Sequence, residues 1–254
     1  MISPKSARLL APILLLVLAA CAATPRAGRA GDGPAHPLLL VSLDGVHPDT
    51  LFRGDSPNLD ALARRGVRAE AMRPSYPSLT FPNHYTLVTG LRPDRHGIVD
   101  NRMRDPVLGR FSLSDREAVS DGRWWQGGEP IWVTARRHGL RSATMFWPGA
   151  EARIHGVRPG EWSAFDAALP IDARVDRVLG WLDRPPATRP HLLTLYFEQV
   201  DTAGHDHGPD SEAIRTALRG LDAALGRLLD GIEARGLAGQ VNLVLVSDHG
   251  MAPI

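Results

Sequence analysis

Three short runs along the chain are almost uninterruptedly apolar: residues 38–43 (LLLVSL), 191–197 (HLLTLYF) and 241–246 (VNLVLV). Their length, their β-favouring content and their lack of alternation predict parallel strands covered on both faces. Between them the spacing changes. Residues 56–65, 171–181 and 212–234 place apolar side chains at helical intervals, and from Ile214 the last reads IRTALRGLDAALGRLLDGIEA. Gly220 and Gly226 weaken that helix without breaking its period. Strands alternating with long helices predict an α/β fold, a doubly wound and mostly parallel sheet with helices on both faces. Residues 102–170 are rich in Gly, Pro and Trp and only weakly periodic. They predict one helix, 130–138, one strand, 142–146, and otherwise loops that wall a site.

The chain has 254 residues, 43% hydrophobic and 22% charged, with a formal net charge of +1. That is enough for one large α/β domain or two small ones, and the charge balance offers no basic nucleic-acid footprint. Ahead of the first strand, Lys5 and Arg8 precede an apolar stretch over 9–20 that is too short to span a bilayer comfortably. This is the pattern of an export signal. It closes on Leu18-Ala19-Ala20-Cys21, which resembles the lipobox of bacterial lipoproteins, whose cysteine is lipidated and becomes the new N-terminus. An ordinary cleaved signal peptide is the alternative. The expected division is a signal peptide over 1–21, a flexible Pro/Gly/Ala tether over 22–36 and the folded portion over 37–254. Such a protein is exported to the periplasm and anchored there through Cys21. No other cysteine exists, so neither an intramolecular disulfide nor a cysteine metal site is available.

Each apolar run ends in acid. Asp44 follows the first, Glu198 and Asp201 the second, and Asp248-His249 the third. Ligands of open parallel sheets bind outside the carboxyl ends of the strands, so these groups are expected to converge. A single Asp in such a place usually caps a turn or a helix, but three together with nearby histidines imply more. Carboxylate oxygen with imidazole nitrogen suits zinc better than calcium or magnesium. Asp201 and His205 stand four apart in DTAGH, where Gly204 allows a close approach, and Asp248 with His249 offers two adjacent ligands. His207, in the same GHDHGP stretch, reads as exposed or as a partner of the ligands.

Between the first two runs lies PSYPSLTFPNHY, residues 74–85. Pro82 suits the first turn of a helix over 81–89, which makes Thr80 its N-cap. Capping alone is a sufficient role for a threonine there. A hydroxyl at a helix N-terminus nevertheless faces free N–H groups, a natural seat for phosphate, and metal coordination can make it a nucleophile.

Taken together, the chain resembles the nucleotide pyrophosphatase/phosphodiesterase family of the alkaline phosphatase superfamily. The matching stretches are LLLVSLDG from Leu38, PSYPSLTFPNHYTLVTGLRPDRHGIVDN from Pro74, GEPIW, FWPG, YFEQVDTAGHDHGP from Tyr196, and SDHGM from Ser247. Several ungapped motifs in order, from about His36 onward, are far more specific than any one of them. The resemblance implies an alkaline-phosphatase-like fold, hydrolysis of nucleotide-type phosphodiester or pyrophosphate bonds, and two zinc ions. It assigns Asp44, Thr80, Asp248 and His249 to one zinc, and Asp201 and His205 to the other. Thr80 becomes the nucleophile that carries a covalent phosphoryl group, and Asn101 a donor to a phosphoryl oxygen. Phe81, Tyr196 and Phe165 resemble the aromatic lining of the nucleotide pocket, with core packing as the alternative for each.

One departure stands out. The family draws a third histidine for the zinc held by Asp201 and His205 from a segment well beyond SDHGM, and Ile254 closes this sequence first. The expectation is therefore a fold incomplete at its C-terminus, as in a fragment of a longer reading frame, with weak or no activity alone. Two rivals share the residues: a hydrolase of choline phosphodiesters or phosphomonoesters, and an inactive zinc-binding relative.

Overall fold

Alternate residues of β1 (Leu38–Leu43) point to opposite faces of the sheet, so one run feeds two cores: Leu39, Val41 and Leu43 enter one, Leu38 and Leu40 the other. The computed structural model describes residues 36–253. The expected signal segment, Cys21 and the tether up to residue 35 lie outside them.

A separate antiparallel hairpin joins β2 (Arg102–Asp105) to β3 (Gly109–Ser112). The main sheet contains β1, β4 (Ser142–Met145), β5 (Glu161–Ser163), β6 (Leu192–Phe197) and β7 (Asn242–Val246). Its order is β5-β4-β6-β1-β7 and every pairing is parallel, with Leu38 opposite Leu192 on one side and Asn242 on the other. Among the described residues eight α-helices accompany it: α1 (Pro57–Arg65), α2 (Thr80–Thr89), α3 (Pro93–His96), α4 (Arg116–Ser120), α5 (Ile131–Arg137), α6 (Ile171–Leu182), α7 (Gln199–His207) and α8 (Glu212–Ala234). Among the described residues no helix is long and apolar enough to cross a membrane.

The first core joins the sheet to α1, α6, α7 and α8. Leu218, Leu221, Leu225, Leu228 and Ile232 form the buried stripe of α8. Two of its glycines serve packing: a Cβ on Gly226 would lie 2.8 Å from Asn58 Nδ2, and one on Gly231 2.5 Å from Leu179. Buried Asp222 of α8 accepts the Asn58 and Leu59 backbone N–H groups at 3.0 and 2.8 Å, satisfying donors that α1 cannot satisfy itself.

The second core lies on the opposite face. It gathers α2, α5 and the aromatic residues Phe81, Tyr85, Phe111, Trp125, Trp132 and Trp147.

Two expectations need correction. Residues 102–170 hold more than one helix and one strand: the segment adds β2, β3, α4 and β5, and Trp124, Trp125, Trp132 and Trp147 help build this second core. Nor is the third apolar run covered on both faces. Among the described residues β7 is an outer strand, and Val244 stays 42% exposed while Leu243 and Leu245 reach the first core.

Candidate active site

Asp44 stands at the carboxyl end of β1, and Gly45 follows with φ +71°. A Cβ at Gly45 would lie 2.9 Å from Asp201 Cα and 3.2 Å from Asp201 Oδ1, so glycine lets the first turn of α7 close on the end of β1. Asp201 and His205 occupy successive turns of α7, with Oδ1 and Nε2 3.5 Å apart. They share a helical face. Gly204 still allows a close approach, since a Cβ there would overlap the Met251 sulfur. His207 is exposed. Glu198 is elsewhere engaged, bound by the Arg174 guanidinium at 2.8 Å. Asp248 and His249 follow β7.

The strand ends do converge. His249 Nε2 lies 3.4 Å from Asp44 Oδ1, 3.2 Å from Asp248 Oδ2 and 3.4 Å from Thr80 Oγ1. Asp44, Asp248 and His249 are all buried, and each offers a ligand atom within 4.8 Å of the others. Buried carboxylate oxygens normally find donors. Here Asp44 Oδ1, Asp201 Oδ1 and Asp248 Oδ2 have none among the described residues.

Burial, then the charges of Asp248 and Asp201, push the Asp44 carboxyl well above its usual range. Burial also raises Asp201. At Asp248 burial again works upward, but His84 and His249 outweigh it and hold the carboxyl low. Orphaned acid oxygens beside imidazole nitrogen fit a divalent cation, and the mixed donor set fits zinc.

Thr80 is the first helical residue of α2, not its cap; Leu79 caps the helix through its backbone. Asn101 Oδ1 accepts the Phe81 backbone N–H at 2.9 Å. That N–H, expected to face a phosphoryl oxygen, is therefore occupied, while Asn101 keeps its Nδ2 donors.

The aromatic expectations divide. The Phe81 ring turns into the second core, 5.8 Å from Phe111 and 5.9 Å from Trp125 between centroids. Tyr196 is buried too, and its hydroxyl donates to Asp44 Oδ2 at 2.6 Å, so it braces a carboxylate rather than lining an open pocket. Phe165 keeps 36% of its surface exposed, against Phe146 and Tyr196.

Sequence reasoning missed His84. It is fully buried, with Nδ1 2.8 Å from the Thr80 carbonyl oxygen and 3.3 Å from Asp248 Oδ2. Its spacing of four from Thr80, one helical turn, was the available signal.

A family model described as type I phosphodiesterase / nucleotide pyrophosphatase matches residues 38–254. An uncharacterized pyrophosphatase/phosphodiesterase of Schizosaccharomyces pombe is 46% identical over 217 residues, covering 85% of this chain and 45% of that protein. A venom phosphodiesterase of Crotalus durissus collilineatus is 48% identical over 221 residues, 86% of this chain and 26% of its own length. Among solved structures, inactive murine ectonucleotide pyrophosphatase/phosphodiesterase 5 carrying a threonine-to-alanine change, in complex with AMP, superposes with a TM-score of 0.80. Its identity is 35%, over 85% of this chain and 57% of that one. The chain thus spans less than half the length of these two curated relatives.

Proposed function

The chain belongs to the type I phosphodiesterase/nucleotide pyrophosphatase family, and from that premise we propose that its site hydrolyses phosphodiester or pyrophosphate bonds of nucleotide-type substrates, with Thr80 as nucleophile. One observation carries this reading. Acids from separate elements leave oxygens unpartnered, and those of Asp44 and Asp248 lie beside His249, against which the Thr80 hydroxyl lies at 3.4 Å.

Asp44, Asp248 and His249, with Thr80, would hold one zinc ion; Asp201 and His205 would supply ligands to a second. When bound, two such ions supply Lewis acidity, neutralising the acids, lowering the pKa of a bound hydroxyl and stabilising charge on oxygens around phosphorus. Thr80 Oγ1, its proton released to solvent, forms a bond to phosphorus as the bond to the leaving oxygen breaks. The leaving oxygen takes up a proton. Water then adds to the phosphoryl group on Thr80, loses a proton, and the Oγ1–phosphorus bond breaks to restore the hydroxyl. Asn101 turns its Nδ2 donors to a non-bridging oxygen. Phe165, with its open face, offers a base somewhere to stack, and the AMP complex of the murine relative supports a nucleotide-type ligand. Export, with the lipid anchor at Cys21, belongs to the same reading, and the venom relative supports an extracytoplasmic setting.

Thr80→Ala tests the nucleophile. With the p-nitrophenyl ester of thymidine 5′-monophosphate and added zinc, the variant should keep its circular dichroism and lose turnover entirely. Undiminished turnover relative to wild type would remove the proposal. A strong preference for p-nitrophenyl phosphate would point instead to a monoesterase.

A further inference from the structure

His84 lies outside the ligand set, yet through it the nucleophile's helix touches the acid cluster. Its Nδ1 is 2.8 Å from the Thr80 carbonyl oxygen and 3.3 Å from Asp248 Oδ2, and its Nε2 is 2.8 Å from Ser42 Oγ. The rings of Trp147 and Tyr196 meet it edge-on, each at 5.1 Å, and the Trp147 indole donates to the His84 carbonyl at 3.2 Å. A carbonyl oxygen only accepts, so Nδ1 carries the hydrogen. The carboxylate oxygen on the same side is an acceptor as well. In the neutral ring that leaves the Nε2 lone pair to accept from the Ser42 hydroxyl.

We propose that His84 is a positioning residue, held by Ser42 as the Nδ1–H tautomer, and that its Nδ1–H donates to the Thr80 carbonyl with the Asp248 carboxylate packed beside it. Three elements distant in sequence meet at this ring. Ser42 lies in β1 two residues before Asp44, Thr80 opens α2, and Asp248 follows β7. The ring fixes the nucleophile's turn relative to the carboxylate, where a small misplacement is costly. The functional consequence rests on the reading of Thr80 as nucleophile; the tautomer and the effect on metal affinity do not. Outer partners of metal ligands typically contribute 10- to 100-fold in affinity or activity. Asn at position 84 can present its amide donor near the place of Nδ1, whereas Gln and Leu cannot.

The test uses the whole chain and three readouts. Long-range 15N–1H NMR should find His84 of the wild type protonated at Nδ1 and bare at Nε2. Competition against a chelator should show zinc bound about 10- to 100-fold more weakly by His84→Leu and His84→Gln, with His84→Asn recovering most of the loss. Where turnover is measured, kcat should follow the same order with KM within about threefold. A bare Nδ1 in the wild type would overturn the proposal, whether or not the chain is active. So would wild-type zinc affinity in both His84→Leu and His84→Gln. If His84→Leu does not fold, the NMR assignment and the contrast between Asn and Gln decide.

Discussion

Asn101 shows how one side chain can serve two ends. Its Oδ1 holds the Phe81 N–H at the start of α2, and on the proposed reading its Nδ2 serves a phosphoryl oxygen. Asn101→Ala should lower kcat by roughly ten- to a thousandfold, the scale of losing one such donor, with zinc content unchanged. Steady-state kinetics beside metal analysis check this, and a change confined to KM would contradict it. At this scale the acids were legible, because Asp44 and Asp248 come within two residues of the ends of strands whose apolar pattern is plain. The roles of Tyr196 and His84 were not. Tyr196 meets Asp44 across 152 residues, and Ser42 meets His84 across 42, partnerships that no local pattern encodes.

Elements hold the site through side chains that cap and tie them. Asp222 satisfies two backbone donors of α1 from the middle of α8. Asp222→Ala should therefore cost about 1–3 kcal/mol in denaturant unfolding, the penalty for stranding buried donors. His96 similarly joins α2 to the strand of chain leading to Asn101, with Nε2 3.0 Å from Thr86 Oγ1 and Nδ1 accepting the Ile98 N–H at 3.2 Å. Burial holds its imidazole down at about 4, against 6.5 for an ordinary histidine. The fold favours the neutral ring, so its contribution is complete above pH 6.5 and is lost as pH falls from there towards about 4. Stability measured at pH 7 and pH 5 should fall in the wild type and fall less in His96→Asn; equal slopes would contradict this. β1 and β6 were readable as nearly unbroken apolar runs, and α8 because its helical period is long and clean. The hairpin of β2 and β3 was not, since four-residue strands with exposed arginines carry too little pattern to separate from loop.

Across the whole molecule, the parallel sheet explains why the acids meet at all. β1, β6 and β7 run the same way, so Asp44, the segment leading to Asp201, and Asp248 all leave the same end. That convergence leaves like charges crowded and oxygens unpartnered, an arrangement that a cation relieves and that a purely structural role does not explain. The most direct examination is anomalous diffraction at the zinc edge from crystals grown with zinc. The account predicts a zinc peak bounded by Asp44, Asp248 and His249 with Thr80 Oγ1 in its coordination sphere, and a second at Asp201 and His205. No peak among these residues, or a Thr80 hydroxyl turned away from the metal, would contradict it.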